Sequence, residues 1–381
     1  DLREARIALK PFDYAKPAGA PARAEAVVRL RGEELVAVEG LRVEGPDLSV
    51  RGGVSFRPGG ALAGAELLEA RIGPSRLAGR VVSPGASGEP WDIRVRGTML
   101  DAEGLLRDLG GGEIRGRSGR DTGSTPLRLD AAIDRVRLGG GRELAPVRAL
   151  LFRDARGVIR EAALSARGVR GGGVEAAVVP RGAGRAMEAR AEGLGTQLRD
   201  LGVFDAVDGG NFHASGTWAG NEPDSPLTGV AELREFGVRE AASIGKILQA
   251  LSIYGIAEAV QGPGLRFTVA SALFTYTPQA LTLTEARAVS ASLGFTVGGR
   301  VLLEAERLDL RGTIVPSYAV NSALGRIPGI GRLFTAERNG GLFAANFRVT
   351  GKLDDPDLQL DPLSLLAPGA LRGLLTEREE R

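Results

Sequence analysis

His213, the one histidine of the 381 residues, stands near Asp208 and Ser215, and a carboxylate, an imidazole and a hydroxyl so close in sequence are raw material for a hydrolytic site. Asp208-Gly209-Gly210 ahead of an alternating run reads instead as a glycine turn entering a strand, which makes His213 an ordinary strand residue. Asp354, Asp355 and Asp357 could offer oxygens to a cation. Set around Pro356, they read as the turn between a strand ending at Thr350 and one beginning at Leu358. Gly245-Lys246 has Glu240 and Ile247 where a phosphate-binding loop needs glycine and a hydroxyl residue, and Gly182-x-Gly184 has Met187 where a dinucleotide fingerprint needs its third glycine. No Gly-x-Ser-x-Gly elbow occurs. Zero cysteines remove disulfides, thiolate nucleophiles and iron–sulfur clusters, and a single histidine removes multi-histidine metal centres. The expectation is a protein that works without catalysis, cofactor or metal.

The elements around these residues are mostly strands. Apolar residues recur at every second position in short runs bounded by glycine or proline, as in Leu35, Val36 and Val38, in Val50, Val54 and Phe56, and in Leu127 and Leu129. The pattern is cleanest beyond residue 260. There Leu265, Phe267, Val269, Leu281, Leu283, Leu293, Phe295, Val297, Val301, Leu303, Leu308 and Leu310 are predicted to line one continuous apolar surface, because residues two apart share a sheet face. Helices are few: residues 102–109 and 195–201 each read as about two turns stopped by glycine, and Ala241 to Val260 is amphipathic. Leu106-Arg107-Asp108-Leu109-Gly110 recurs as Leu198-Arg199-Asp200-Leu201-Gly202, each after a strand, and Leu248-Gln249-Ala250-Leu251 is a looser third copy. Such repetition suits an elongated body whose units need their neighbours to bury an apolar face. From Ile314 to Gly331 the sequence predicts a cap or re-entrant loop rather than a strand. Pro316 and Pro328 remove backbone donors, Gly325, Gly329 and Gly331 favour turns, and Tyr318, Leu324, Ile327 and Ile330 carry apolar surface that needs cover or a membrane.

Composition agrees with a turn-rich folded chain. The chain has 56 glycines and 20 prolines, and its 49 basic residues against 47 acidic ones leave a net charge of +2. All but Lys10, Lys16, Lys246 and Lys352 of the basic residues are arginine, interleaved with acids in the manner of solvated faces, so no nucleic-acid footprint is expected. No apolar run reaches the length of a membrane span, and no signal peptide opens the sequence. The start at Asp1, already in an alternating pattern, is expected of a piece whose targeting segment lies outside it.

One string is specific. Gly312-Thr313-Ile314-Val315-Pro316-Ser317-Tyr318-Ala319-Val320-Asn321 is followed by Gly325-Arg326-Ile327-Pro328-Gly329-Ile330-Gly331, Gly341-Leu342-Phe343-Ala344-Ala345, Gly351-Lys352-Leu353-Asp354-Asp355-Pro356 and Asp361-Pro362-Leu363-Ser364. It resembles the AsmA-like C-terminal region of the bacterial AsmA family, its large YhdP-like members in particular. The stretch Gly202 to Gly216 resembles the DUF3971-type region that precedes it. The resemblance covers about 200 to 375, and it divides the chain into a β-rich repeat region at 1–220 and an AsmA-like region at 221–381.

The resemblance implies a bridge-like lipid transfer protein of the periplasm. It implies an inner-membrane anchor through an N-terminal helix not in this sequence, contact with the outer membrane, and phospholipid acyl chains as cargo. The implied fold is mainly β, an elongated, twisted, largely antiparallel sheet curled into an apolar groove with a few short helices. From the residues alone a sealed core between two sheets fits equally well, since either arrangement buries an alternating apolar face. The alternative function is a structural or assembly factor of outer-membrane biogenesis that pairs through a free sheet edge. A third is a glycan-directed enzyme using Asp354 and Asp355.

Overall fold

The computed structural model describes residues 1–86, 88–110, 125–169, 171–201, 206–238, 265–290, 293–316, 345–353 and 356–361. It is mainly β, 71% strand and 5% helix, and it consists of a long, mostly antiparallel sheet with two short helices. The chain divides into two compact units, Asp1–Ala191 with Arg199–Val203 and Thr217–Ser225, and Glu192–Leu198 with Phe204–Gly216 and Pro226–Arg381. The division expected at residue 220 falls where the two interleave in sequence.

The first unit opens with a hairpin, β1 (Ile7–Leu9) and β2 (Tyr14–Lys16), joined by a 3-10 turn at Lys10–Phe12. An antiparallel meander follows: β3 (Arg23–Arg31), β4 (Glu34–Gly45), β5 (Leu48–Phe56), β6 (Leu62–Ile72), β7 (Ser75–Val82) and β8 (Trp91–Asp101). Helix α1 (Glu103–Gly110) then breaks the hairpin pattern, because β9 (Leu127–Ile133) pairs with β8 in parallel. Parallel neighbours need a crossover, and the first copy of the sequence repeat lies on it. Strands β10 (Val136–Gly139), β11 (Arg142–Arg153), β12 (Ile159–Gly168), β13 (Gly173–Arg181) and β14 (Gly184–Glu192) continue the unit. Helix α2 (Leu194–Leu201) carries the second copy of the repeat and leads into β15 (Val207–Trp218).

The second unit adds β16 (Leu227–Val238), β17 (Leu265–Tyr276), β18 (Ala280–Ser290), β19 (Leu293–Leu302), β20 (Arg307–Pro316), β21 (Ala345–Lys352) and β22 (Pro356–Asp361), each antiparallel to the next. The amphipathic run Ala241 to Val260 lies outside the described residues.

Burial follows the pleat. In β20, Arg307, Asp309 and Arg311 are exposed, while Leu308, Leu310 and Gly312 are half-buried and Ile314 is buried. Three expectations need correction. Val269 is on the opposite face from Phe267, because β17 carries an extra residue, Thr268, between Phe267 opposite Ser290 and Val269 opposite Val289. The partner strand β16 breaks its alternation at the same level, where Glu235 adopts a left-handed φ of 52°. Leu303 lies just past β19, in the turn, with its N–H donated to the carbonyl of Gln279. Ile314 and Val315 continue β20 instead of starting a loop, and Pro316 ends it opposite Leu293, where a strand end tolerates the missing donor.

Candidate functional site

The face expected from the alternation is built strand by strand from the register. Paired residues of an antiparallel sheet share a face, so Leu293, Phe295, Val297, Gly299 and Val301 of β19 sit level with Pro316, Ile314, Gly312, Leu310 and Leu308 of β20 on one side. On the other side they meet Ala288, Ala286, Leu283 and Leu281 of β18. Those residues continue onto Ala270, Ala272, Phe274 and Tyr276 of β17, and Ser290 onto Phe267, with Leu265 placed opposite Val238 of β16. Thr284 is an extra residue in β18, since Leu283 is opposite Phe274 and Glu285 opposite Leu273, and the face therefore passes from Leu281 and Leu283 to Ala286 and Ala288.

Side chains along this face fit closely at three places. The rings of Phe236 and Phe267 stack at 4.9 Å, and Phe267 meets Phe295 at 5.6 Å across the intervening β18, which joins β16, β17 and β19 in one aromatic row. Phe274 lies over Gly229 and Phe347 over Gly312, where a Cβ would fall 2.4 Å from the Phe347 ring. Leu293 is 0% exposed, and Ser290 beside it closes its polar group locally: Leu293 N–H donates to its Oγ at 2.8 Å, and that Oγ donates to the Leu293 carbonyl at 3.0 Å. The other side of the same strands carries charge, with Arg300 opposite Asp309, Arg348 donating to Asp309 at 3.1 Å and Arg287 paired with Glu285, interspersed with the exposed Val230, Leu273, Val289 and Leu302. Such a sheet has one wet face and one that hydrocarbon can cover.

Sequence reading missed several residues of this face. Leu227, Leu233 and Phe236 of β16 and Phe274 of β17 are hidden by the breaks at Glu235 and Thr268, which shift the period within one strand. Phe347 and Val349 of β21, level with Gly312 and Leu310, carry a two-residue period that was readable. Of the expected cap, Pro316 ends β20, and Tyr318, Leu324, Ile327, Pro328 and Ile330 lie outside the described residues.

In the first unit a comparable face is covered at one end by the chain's own start. Leu48, Ala70 and Ile72 are buried under Ile7, Leu9, Phe12 and Tyr14, and Phe12 also packs against Leu77, Ala102, Ile133, Val136 and Leu138. Lys16, 1% exposed, fixes this segment by donating to the carbonyls of Arg3, Ala5 and Pro17 at 3.2, 2.7 and 2.9 Å. The opposite face of this unit holds an open cleft of about 820 Å³ lined by Arg96, Asp130, Arg148, Glu175, Glu188 and Arg190. Arg96 donates to Asp130 at 2.6 Å, and this bond holds the Asp130 carboxyl below its ordinary range.

The residues with catalytic potential are dispersed. His213 is exposed in β15, Asp357 is exposed in β22 and accepts from Gln359 at 3.2 Å, and Asp354 and Asp355 lie outside the described residues. Among the described residues no group of three His, Asp or Glu is placed to hold a metal ion, and no helix is long and apolar enough to cross a membrane. No protein-family model, curated protein or solved structure matches the chain.

Proposed function

We propose that the chain is part of an AsmA-family, YhdP-like lipid transfer protein that carries phospholipid through the periplasm between inner and outer membranes without catalysis. In this reading acyl chains lie along the apolar sheet face while headgroups stay at its wet rim. The observation that supports it is the face spanning β16 to β21, apolar through Phe236, Phe267, Phe295, Val297, Leu310 and Val349. Flexible hydrocarbon gains about 25 cal/mol per Å² of apolar surface removed from water and needs no directional partner, so a long smooth wall suits it. The motif string from Gly312 onward adds the family and the compartment.

A second reading, an assembly factor for outer-membrane proteins, draws on β3, whose nine residues are all exposed, with Val27, Val28 and Leu30 as apolar surface for a client chain. Native mass spectrometry with lipid extraction of protein purified from a didermal bacterium separates the two. Co-purified phospholipid is expected; protein that arrives lipid-free and captures unfolded outer-membrane strands instead would overturn the first reading.

A further inference from the structure

The ends of β11, β12 and β14 gather four arginines around two acids. Asp154, in the turn between β11 and β12, faces Arg160 at 2.9 Å, and its other oxygen accepts the N–H groups of Arg156 and Val158. Glu222 takes Arg156 at 2.8 Å. Both acids are thereby engaged, and Arg153 and Arg185 have no carboxylate partner among the described residues. Arg185 is 6% exposed, lies over the Trp218 ring with 4.4 Å from guanidinium carbon to centroid, and donates once, to the Ile159 carbonyl at 2.7 Å. Its Nε is buried with no acceptor, as is the Nε of Arg153. A buried guanidinium short of acceptors is costly to leave unmade. Burial, and next the positive charge of Arg160, push the Arg185 pKa down, which is the direction an anion would reverse.

Arg153 and Arg185 belong to the rim of the first unit's apolar face. Along β14 the exposed Glu188 and Arg190 line the open cleft, and alternation puts Arg185 on the other side with Met187 and Ala189. Arg153 is level with Leu127 and follows Leu151, which is level with Leu129, on that same side.

We propose that Arg185, flanked by Arg153 and Arg160 and backed by Trp218, is a binding site for a phosphate group, the headgroup phosphate of a lipid whose acyl chains lie on the adjoining apolar face. The site rests on the lipid-transfer reading for its ligand, but its chemistry is independent of it. A tetrahedral phosphate offers acceptor oxygens to guanidinium donors arriving from different strands, which a neutral headgroup cannot.

The test uses the chain with Trp91→Phe, so that Trp218 is the remaining tryptophan, titrated with dihexanoyl phosphatidate, dihexanoylglycerol and inorganic phosphate by fluorescence and calorimetry. Phosphatidate is expected to bind best and to perturb Trp218, and Arg185→Gln is expected to weaken it tenfold or more while leaving dihexanoylglycerol unchanged. Arg153→Gln, at a half-buried position, gives the same comparison should Arg185→Gln fail to fold. Phosphatidate binding that is unchanged in both variants, or silent at Trp218, overturns the site. If both lipids bind equally and without regard to Arg185, the lipid reading stands and the phosphate site falls. If inorganic phosphate binds through Arg185 and neither lipid binds better, the site stands as one for free phosphate and the lipid reading falls.

Discussion

A glycine in the middle of a strand ordinarily weakens it, yet Gly312 has a spatial reason to be there. A Cβ at this position would lie 2.1 Å from the Thr296 carbonyl oxygen as well as against the Phe347 ring. Gly312→Ala is therefore expected to destabilise the second unit by about 1–3 kcal/mol, read as a lower denaturation midpoint. Adding Phe347→Leu should not restore it, because the backbone clash remains; full rescue would mean that only the ring was in the way. Charged residues on the outer faces matter far less. The Arg96–Asp130 pair is half exposed, so Asp130→Asn is expected to cost less than about 1 kcal/mol at neutral pH. Its lowered carboxyl pKa fixes the sign: the contribution is complete above the ordinary value of 3.8 and is lost as pH falls from there through the folded value. Denaturant melts of wild type and Asp130→Asn at neutral and acid pH check this, since their difference should shrink on acidification.

At the scale of elements, most strands could be read from their two-residue period, and α1 and α2 from the repeat with its terminal glycines. What escaped was phase. Thr268, Glu235 and Thr284 each disturb one strand, and a single extra residue turns everything beyond it to the other face, so Val269 was assigned to the wrong side and Phe274 overlooked. Strand direction escaped as well, because nothing in the residues of β9 distinguishes a parallel partner from an antiparallel one. The N-terminal hairpin shows a further limit: Lys16 reads as a surface charge, and only its three carbonyl partners reveal a buried clamp. Lys16→Met keeps most of the volume and removes the donors. It is expected to loosen residues 1–22 and expose Leu48 and Ile72, seen as lost amide protection in β1 and increased binding of a hydrophobic dye. Protection unchanged in β1 would place the clamp in the packing of Phe12 instead.

For the whole molecule, function turns on whether the apolar face is covered by protein or by cargo, and the second unit permits a direct experiment. Phe295 sits mid-face, between Ala288 and Ile314 and against Phe267, in a position that either a sealed core or a lipid path would use. A charge there costs several kcal/mol in a water-free apolar setting unless paired, whereas at a wall that lipid visits and leaves the charge can be hydrated whenever the path is empty. Phe295→Glu is accordingly expected to melt within a few degrees of wild type and to lower lipid crosslinking to a photoreactive residue at Val301 severalfold in cells. Collapse of the fold would favour a sealed core. A normal melt with undiminished crosslinking at Val301, and again at Leu283 on the neighbouring strand, would show that acyl chains do not run along this face, and the lipid-path reading would then have to be abandoned for the second unit.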